Sequence, residues 1–206
     1  LQFGAKDPPR LVHRLDKNTS GLLVIAKNEN AMASLAQQFF DHSIERKYNA
    51  LVWGDFEEES GTITGNLDRN PKNRLEMTVF PDGSQGRHAV THYRVLERFH
   101  YVTLVECQLE TGRTHQIRVH MAHIGHGVIG DPLYGKPKRA SQMPDIICRD
   151  ALSVLRSFSR QALHASQLSF AHPISGVGID LTSQLPSEMT ELLTTIEAAI
   201  AARAQA

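Results

Sequence analysis

The sequence predicts an α+β fold: a mixed, mostly antiparallel sheet with flanking helices. Three observations lead there. Strand patterns outnumber helical ones, most strand candidates follow directly on another strand, and the regular strand–helix alternation of a parallel α/β protein is missing. No internal repeat is visible, and residues 1–206 are long enough for one shared core.

The elements follow in order. Residues 21–26 form a short apolar run that Lys27-Asn28 stops too early for a helix, which predicts a central strand buried on both faces. Asn30 then caps a helix with Met32, Leu35, Phe39 and Phe40 at helical spacing, ended by Asp41-His42-Ser43. Residues 46–53 read as a strand, with Tyr48, Ala50 and Val52 on one face and Asn49, Leu51 and Trp53 on the other, closed by Gly54-Asp55. Turn formers dominate residues 61–86, where short strands at 62–64 and 76–80 predict a hairpin-like excursion. Residues 88–98 and 101–110 read as two antiparallel strands joined at Phe99-His100. The second turns Tyr101, Val105, Cys107 and Leu109 inward and Glu106, Gln108 and Glu110 outward. Residues 114–125 fit two periods: Ile117, Val119 and Met121 alternate like a strand, while Ile117, Met121 and Ile124 fit a helix capped by Thr114 and closed by Gly125. The helix is favoured. Residues 163–170 and 177–181 are closing strands around a turn at His172-Pro173, and residues 188–202 form a terminal helix with Leu192, Leu193, Ile196 and Ile200 facing in.

Composition narrows the function classes. With 41% hydrophobic and 21% charged residues, the chain is an ordinary soluble globule, neither disordered nor fibrous. No apolar run approaches the roughly 18–20 residues of a membrane span, and residues 1–10 lack the apolar core of a signal peptide. Cys107 and Cys148 have no Cys-x-x-Cys spacing and are too few for a disulfide scaffold, so a reducing cytoplasm is expected. The zero net charge conceals an uneven distribution: residues 111–165 carry eight Lys or Arg against three acids, and residues 51–110 carry six against ten. A basic face is one reading; ordinary drift of solvated charge is the other.

No phosphate-binding glycine loop, dinucleotide fingerprint, His-Glu-x-x-His or Gly-x-Ser-x-Gly elbow is present. Zinc on His115, His120, His123 and His126 is disfavoured. A helix would put His115 and His126 roughly 16 Å apart, and no Cys or carboxylate is spaced to complete a site. Two segments remain. In His13-Arg-Leu-Asp-Lys-Asn-Thr-Ser-Gly21 a single carboxylate, Asp16, stands between Arg14 and Lys17. It is either a nucleophile or base at the edge of the core or an Asx turn that ties down its own loop. In Thr111-Gly-Arg-Thr-His-Gln-Ile-Arg-Val-His120 cations fall near the N-terminus of the expected helix, the unfavourable end, which implies an anionic partner: Asp16, or phosphate.

These segments closely resemble the RluA-type family of RNA pseudouridine synthases. The resemblance continues through Arg46-Lys-Tyr-Asn-Ala-Leu-Val-Trp-Gly54, Gly130-Asp-Pro-Leu-Tyr-Gly135, Leu163-His-Ala165 and His172-Pro-Ile-Ser-Gly176, nearly the whole chain. It implies the pseudouridine synthase catalytic fold, with the catalytic aspartate on Asp16, an active-site tyrosine on Tyr48 and the arginine that pairs with the aspartate on Arg118. Val90-Thr-His-Tyr93 and Arg160-Gln-Ala-Leu-His164 look most like members that act on large-subunit ribosomal RNA. The strand and Asn-Lys-Pro-x-Gly segment that usually precede the aspartate, and an S4-like RNA-binding domain, are not in this sequence. It therefore reads as an N-terminally shortened catalytic domain, which would also account for the zero net charge. Gly127 and Asn18 depart from the family's common residues.

The implied reaction detaches uracil from the ribose at N1, turns it and rejoins it through C5, with no cofactor or metal. Asp16 would attack covalently or remove a sugar proton. Tyr48 would stack on the base or take the last proton. Ile117 would floor the ring, and Arg14 would fill the gap left by a base flipped out of the RNA. Arg113, His115, Lys136, Lys138 and Arg139 are further RNA-binding candidates. The expected partner is RNA, the chain a monomer with no membrane association. Transfer RNA as substrate, and a non-catalytic RNA-binding or ribosome-assembly module, are the alternatives.

Overall fold

The computed structural model describes residues 8–135 and 149–204. Its elements are β1 (Arg10–Leu11), β2 (Ser20–Gly21), β3 (Ile25–Ala26), α1 (Glu29–Phe40), β4 (Glu45–Trp53), β5 (Ser60–Asn70), β6 (Asn73–Phe80), β7 (Arg87–Arg98), β8 (Val102–Leu109), α2 (Gln116–His123), α3 (Arg149–Ser157), β9 (Leu163–Ala171), β10 (Gly178–Thr182) and α4 (Ser187–Ala204). Strands β10-β9-β4-β8-β7-β5-β6 form one sheet in that order. Every pairing along it is antiparallel, and only β2 joins in parallel, beside β9. The expected mixed, mostly antiparallel α+β architecture is therefore the one observed.

The centre of the sheet lies elsewhere than the apolar run 21–26 suggested. That run gives only β2 and β3, with Leu23 38% and Ile25 44% exposed. The backbone explains why: Gly21 has φ +109 and lies so close to β9 that a Cβ there would meet the Ala165 carbonyl oxygen at 2.2 Å. Pairing stops after two residues, and β3 turns away to pair with β1. The central strands are β4 and β8, where residues 50–53 and 102–105 are buried without a break. We expect Gly21→Ala to cost about 2 kcal/mol or more, from a disfavoured φ and an overlap with β9. At roughly 2–4 °C per kcal/mol, thermal unfolding should shift down by about 5 °C.

Two helix caps are revised, and the expected hairpin at 61–86 is present with longer strands. Helix α1 is capped by Asn28, whose Oδ1 accepts the Ala31 N–H at 2.9 Å; Asn30 lies within the first turn. The excursion 61–86 is a long hairpin, β5 and β6, in the main sheet. Pairing with β7 overrides the low strand propensity of its Asn and Asp residues. Helix α2 forms as favoured, but its cap is His115, at φ +56 and without a side-chain capping bond, in place of Thr114. Gly125, at φ +88, closes it.

Helix α3, unassigned from the sequence, places Leu155 in the core. There it joins Ile117 and Met121 of α2, Met189, Leu192 and Ile196 of α4, and Ala50, Val105 and Leu163 of the sheet. The terminal helix and strands β7, β8, β9 and β10 lie within a residue or two of where the patterns put them.

Candidate active site

The loop that carries Asp16 is held from outside. Gln161 donates to the Lys17 carbonyl at 2.7 Å and to Thr19 Oγ1 at 3.1 Å, and Arg160 donates to the Asn18 carbonyl at 3.3 Å. His13 Nε2 accepts the Val24 N–H at 3.1 Å. Burial, helped by Arg46, pushes His13 down to about 4, so it stays a neutral acceptor at physiological pH. Asp16 turns its own loop through its backbone carbonyl, which accepts the Thr19 N–H at 3.0 Å, leaving the carboxylate to reach across the chain.

That carboxylate meets α2. Arg118 Nη1 donates to Asp16 Oδ2 at 3.2 Å, while Nε and Nη2 of the same guanidinium grip Asp131 at 2.6 and 2.8 Å. The predicted anionic partner for the helix cations is thus Asp16 together with Asp131, which the sequence reading left without a role. The two carboxylates differ in access: the Asp131 side chain is 0% exposed and Asp16 16%. Asp131 serves as the fixed anchor and Asp16 as the one a ligand can reach. Burial alone would lower the Arg118 pKa, but Asp131 and then Asp16 outweigh it and hold the guanidinium above its ordinary value. Asp131 is itself pinned, accepting the Leu133 and Tyr134 N–H groups at 2.9 and 3.2 Å.

A second buried network fixes the loop before α2. Gln116 donates to the Val90 carbonyl and Thr91 Oγ1, and accepts from Thr111 Oγ1 and the Arg113 N–H, all within 3.0 Å. Its amide ties the loop residues Thr111 and Arg113 to strand β7 and so fixes where the helix begins. Thr91 also meets buried His120 at 2.9 Å, and burial, helped by His123, pushes that imidazole down to about 4.

These segments enclose a cavity of about 560 Å³. Its wall brings together Asp16, Tyr48, Arg14, Arg113, His115 and Ile117. Tyr48 and Ile117 are buried, and Arg14 is exposed. Burial raises the Tyr48 pKa, so it is a phenol at neutral pH. Arg113 donates through Nε to the His88 carbonyl at 3.0 Å. Arg118 stands one layer behind, reaching the cavity through Asp16. Lys136, Lys138 and Arg139 lie outside the described residues. The wall also includes Arg46, read from sequence only as a strand residue, with its guanidinium 5.3 Å from the centre of the Phe39 ring.

The histidine stretch is dispersed among separate contacts. His115 meets Tyr134, His120 meets Thr91, and His126 stacks on Phe56 with ring centres 3.9 Å apart. Among the described residues no helix is long and apolar enough to cross a membrane.

The fold, an antiparallel sheet with an arginine-held aspartate lining a cavity, is that of known RNA pseudouridylate synthases. Human RNA pseudouridylate synthase domain containing 4 has a similar fold, with TM-score 0.75 and 26% identity over 92% of this chain and 76% of that one. Human RNA pseudouridylate synthase domain containing 1 gives TM-score 0.67 and 27% identity over 93% and 81%. The family model described as RNA pseudouridylate synthase matches residues 1–123, and the chain belongs to that family. Among curated relatives, ribosomal large subunit pseudouridine synthase D of Zymomonas mobilis is 49% identical over 91% of this chain and 56% of its own length. The protein of that name from Escherichia coli is 44% identical over 93% and 57%. The chain thus spans little more than half the length of these curated relatives.

Proposed function

We propose that this chain isomerises uridine to pseudouridine in large-subunit ribosomal RNA, with residues 1–206 working as one catalytic domain. One observation carries the reading: the partly exposed Asp16 carboxylate, at the wall of a base-sized cavity, is oriented by an arginine that a second, fully buried aspartate fixes. The names of the curated relatives supply the class of RNA. The reaction is an internal exchange in which the N1–C1′ bond breaks, a C5–C1′ bond forms, the C5 hydrogen leaves as a proton and N1 gains one. No electrons enter or leave, so no cofactor is required.

A stacked uridine cannot reach Asp16. It must be flipped into the cavity at a cost of a few kcal/mol, least where the RNA is already looped. Arg14, exposed at the cavity, would fill the gap, and Arg113 would contact phosphate. Ile117 offers an apolar surface under the ring. The chain would act as a monomer in the cytoplasm, a setting consistent with Cys107 as a free, buried thiol.

Tyr48 faces the same cavity, its ring suited to stacking and its hydroxyl to relaying the final proton, the oxygen accepting it from C5 as its own hydrogen passes on to solvent. Tyr48→Phe keeps the ring, so RNA affinity should hold while kcat falls about 10²-fold and loss of the C5 hydrogen becomes rate-limiting. A hydrogen isotope effect at C5, absent in the parent, checks this.

The substrate is tested by incubating the chain with unmodified large-subunit ribosomal RNA and, separately, unmodified transfer RNA. Pseudouridine is then located by carbodiimide adducts that stop reverse transcriptase. New stops in ribosomal RNA alone are expected. Stops in transfer RNA alone would overturn the substrate, and stops in neither would overturn the isomerase reading.

A further inference from the structure

Just before α2, His115 holds φ +56, a region that non-glycine residues seldom enter. Such a conformation persists only where surrounding contacts enforce it, and here they do. The His115 Nδ1 lies 2.9 Å from the Tyr134 hydroxyl, and the two rings meet edge to face with centres 5.6 Å apart. That hydroxyl also accepts the Met77 N–H of β6 at 2.7 Å. The Tyr134 ring lies under the Arg118 guanidinium, 5.1 Å from its centre, and the Tyr134 backbone N–H is held by Asp131. One short loop therefore positions Arg118 through a carboxylate and His115 through a phenol.

The proton inventory of this contact selects a tautomer. A phenol has one hydrogen to donate. With the Met77 amide already donating to the oxygen, the arrangement that also uses the Tyr134 hydrogen directs it to His115 Nδ1 and leaves that nitrogen bare. The imidazole proton sits on Nε2, the opposite nitrogen of a ring that lines the Asp16 cavity. Burial lowers the basicity of this ring, which favours the neutral form.

We propose that His115 is a catalytic residue that presents a neutral Nε2–H to a carbonyl oxygen of the flipped uracil, and that Tyr134 is the positioning residue that fixes this tautomer. The inference rests on the isomerase reading above. As the N1–C1′ bond breaks, its electron pair passes into the uracil ring and onto the carbonyl oxygens. A fixed N–H donor stabilises that developing charge with no proton transfer. A neutral donor suits a base carbonyl, whereas the arginines at the cavity mouth suit phosphate.

Two measurements test it. In protein carrying nitrogen-15 histidine, without RNA, the His115 signal at neutral pH should show a protonated Nε2 and a bare Nδ1. In Tyr134→Phe that preference should relax. In turnover on RNA, His115→Ala should lower kcat about 10²-fold or more with KM for RNA changed less than about threefold. His115→Gln, which returns an N–H at similar reach, should recover part of the loss, and Tyr134→Phe should lower kcat about tenfold. A proton on Nδ1 in the parent, or unchanged kcat in His115→Ala, overturns the inference while leaving the isomerase reading standing. A parent that binds RNA without forming pseudouridine overturns the isomerase reading and the uracil contact with it, and the nitrogen signals still decide the tautomer.

Discussion

Asp16→Asn is expected to remove turnover almost completely while leaving the fold and RNA affinity intact. The amide has the size and planarity of the carboxylate and can still accept from Arg118 Nη1, now 3.2 Å away. What it lacks is the charge needed for attack on the sugar or base, or for removal of a sugar proton. Loss of such a group costs on the order of 10⁴-fold or more in kcat. Arg118 keeps its two bonds to Asp131, so the guanidinium is not left unpaired. Single-turnover conversion of RNA, measured beside filter binding and a thermal melt, separates the three properties. A variant that retains even a tenth of parental turnover would remove Asp16 from the chemistry.

Arg118→Ala should behave differently, because it strikes stability and chemistry together. Its removal strands Asp131, whose side chain is 0% exposed, beside Asp16 at 16%. Breaking a buried pair from one side typically costs about 3–5 kcal/mol; Asp131 would keep the Leu133 and Tyr134 amides but lose its counter-charge in a site closed to water. For a chain of this size that is roughly 6–20 °C of thermal midpoint. Turnover should fall in the surviving folded protein as well, because the Asp16 carboxylate loses its orienting bond. The diagnostic is the double variant. Arg118→Met with Asp131→Asn removes both buried charges while the asparagine Oδ1 can still accept the Leu133 and Tyr134 amides, and should recover most of the lost stability but none of the lost activity. A single Arg118→Ala variant that melts with the parent would show that the guanidinium bears no structural load.

The contrast between these variants reflects what could be read in advance. Asp16, Tyr48 and Arg118 belong to short segments whose residues are neighbours in sequence, and the resemblance to a family placed all three. Cations at the start of α2 even signalled that an anion must face them. Nothing local said that the anion would include Asp131, because that pairing is set by how the loop after β8 and α2 folds back. The same holds for Tyr134, whose contact with His115 also needs Met77 from a distant hairpin.

The fold divides along similar lines. Strands β4, β7 and β8 are eight residues or longer, rich in β-branched and aromatic residues and bounded by turn signals, which makes them legible. The run 21–26 was misplaced because apolarity reports a tendency to be buried and not a position in the sheet. The steric approach of Gly21 to Ala165 that ends β2 is a tertiary fact. Helix α1 is capped by Asn28 and not by Asn30 because the helix starts two residues earlier than its apolar spacing suggests, a boundary set by where the chain leaves β3.

The most direct test of the central claim is tritium release from large-subunit ribosomal RNA labelled at uridine C5. Joining C5 to the ribose must expel that hydrogen, and simple binding cannot. The expected result is release that rises with time to a plateau set by the number of target uridines, and that is lost in Asp16→Asn. RNA bound at matched concentration with no tritium released, or equal release by parent and Asp16→Asn, would contradict the account.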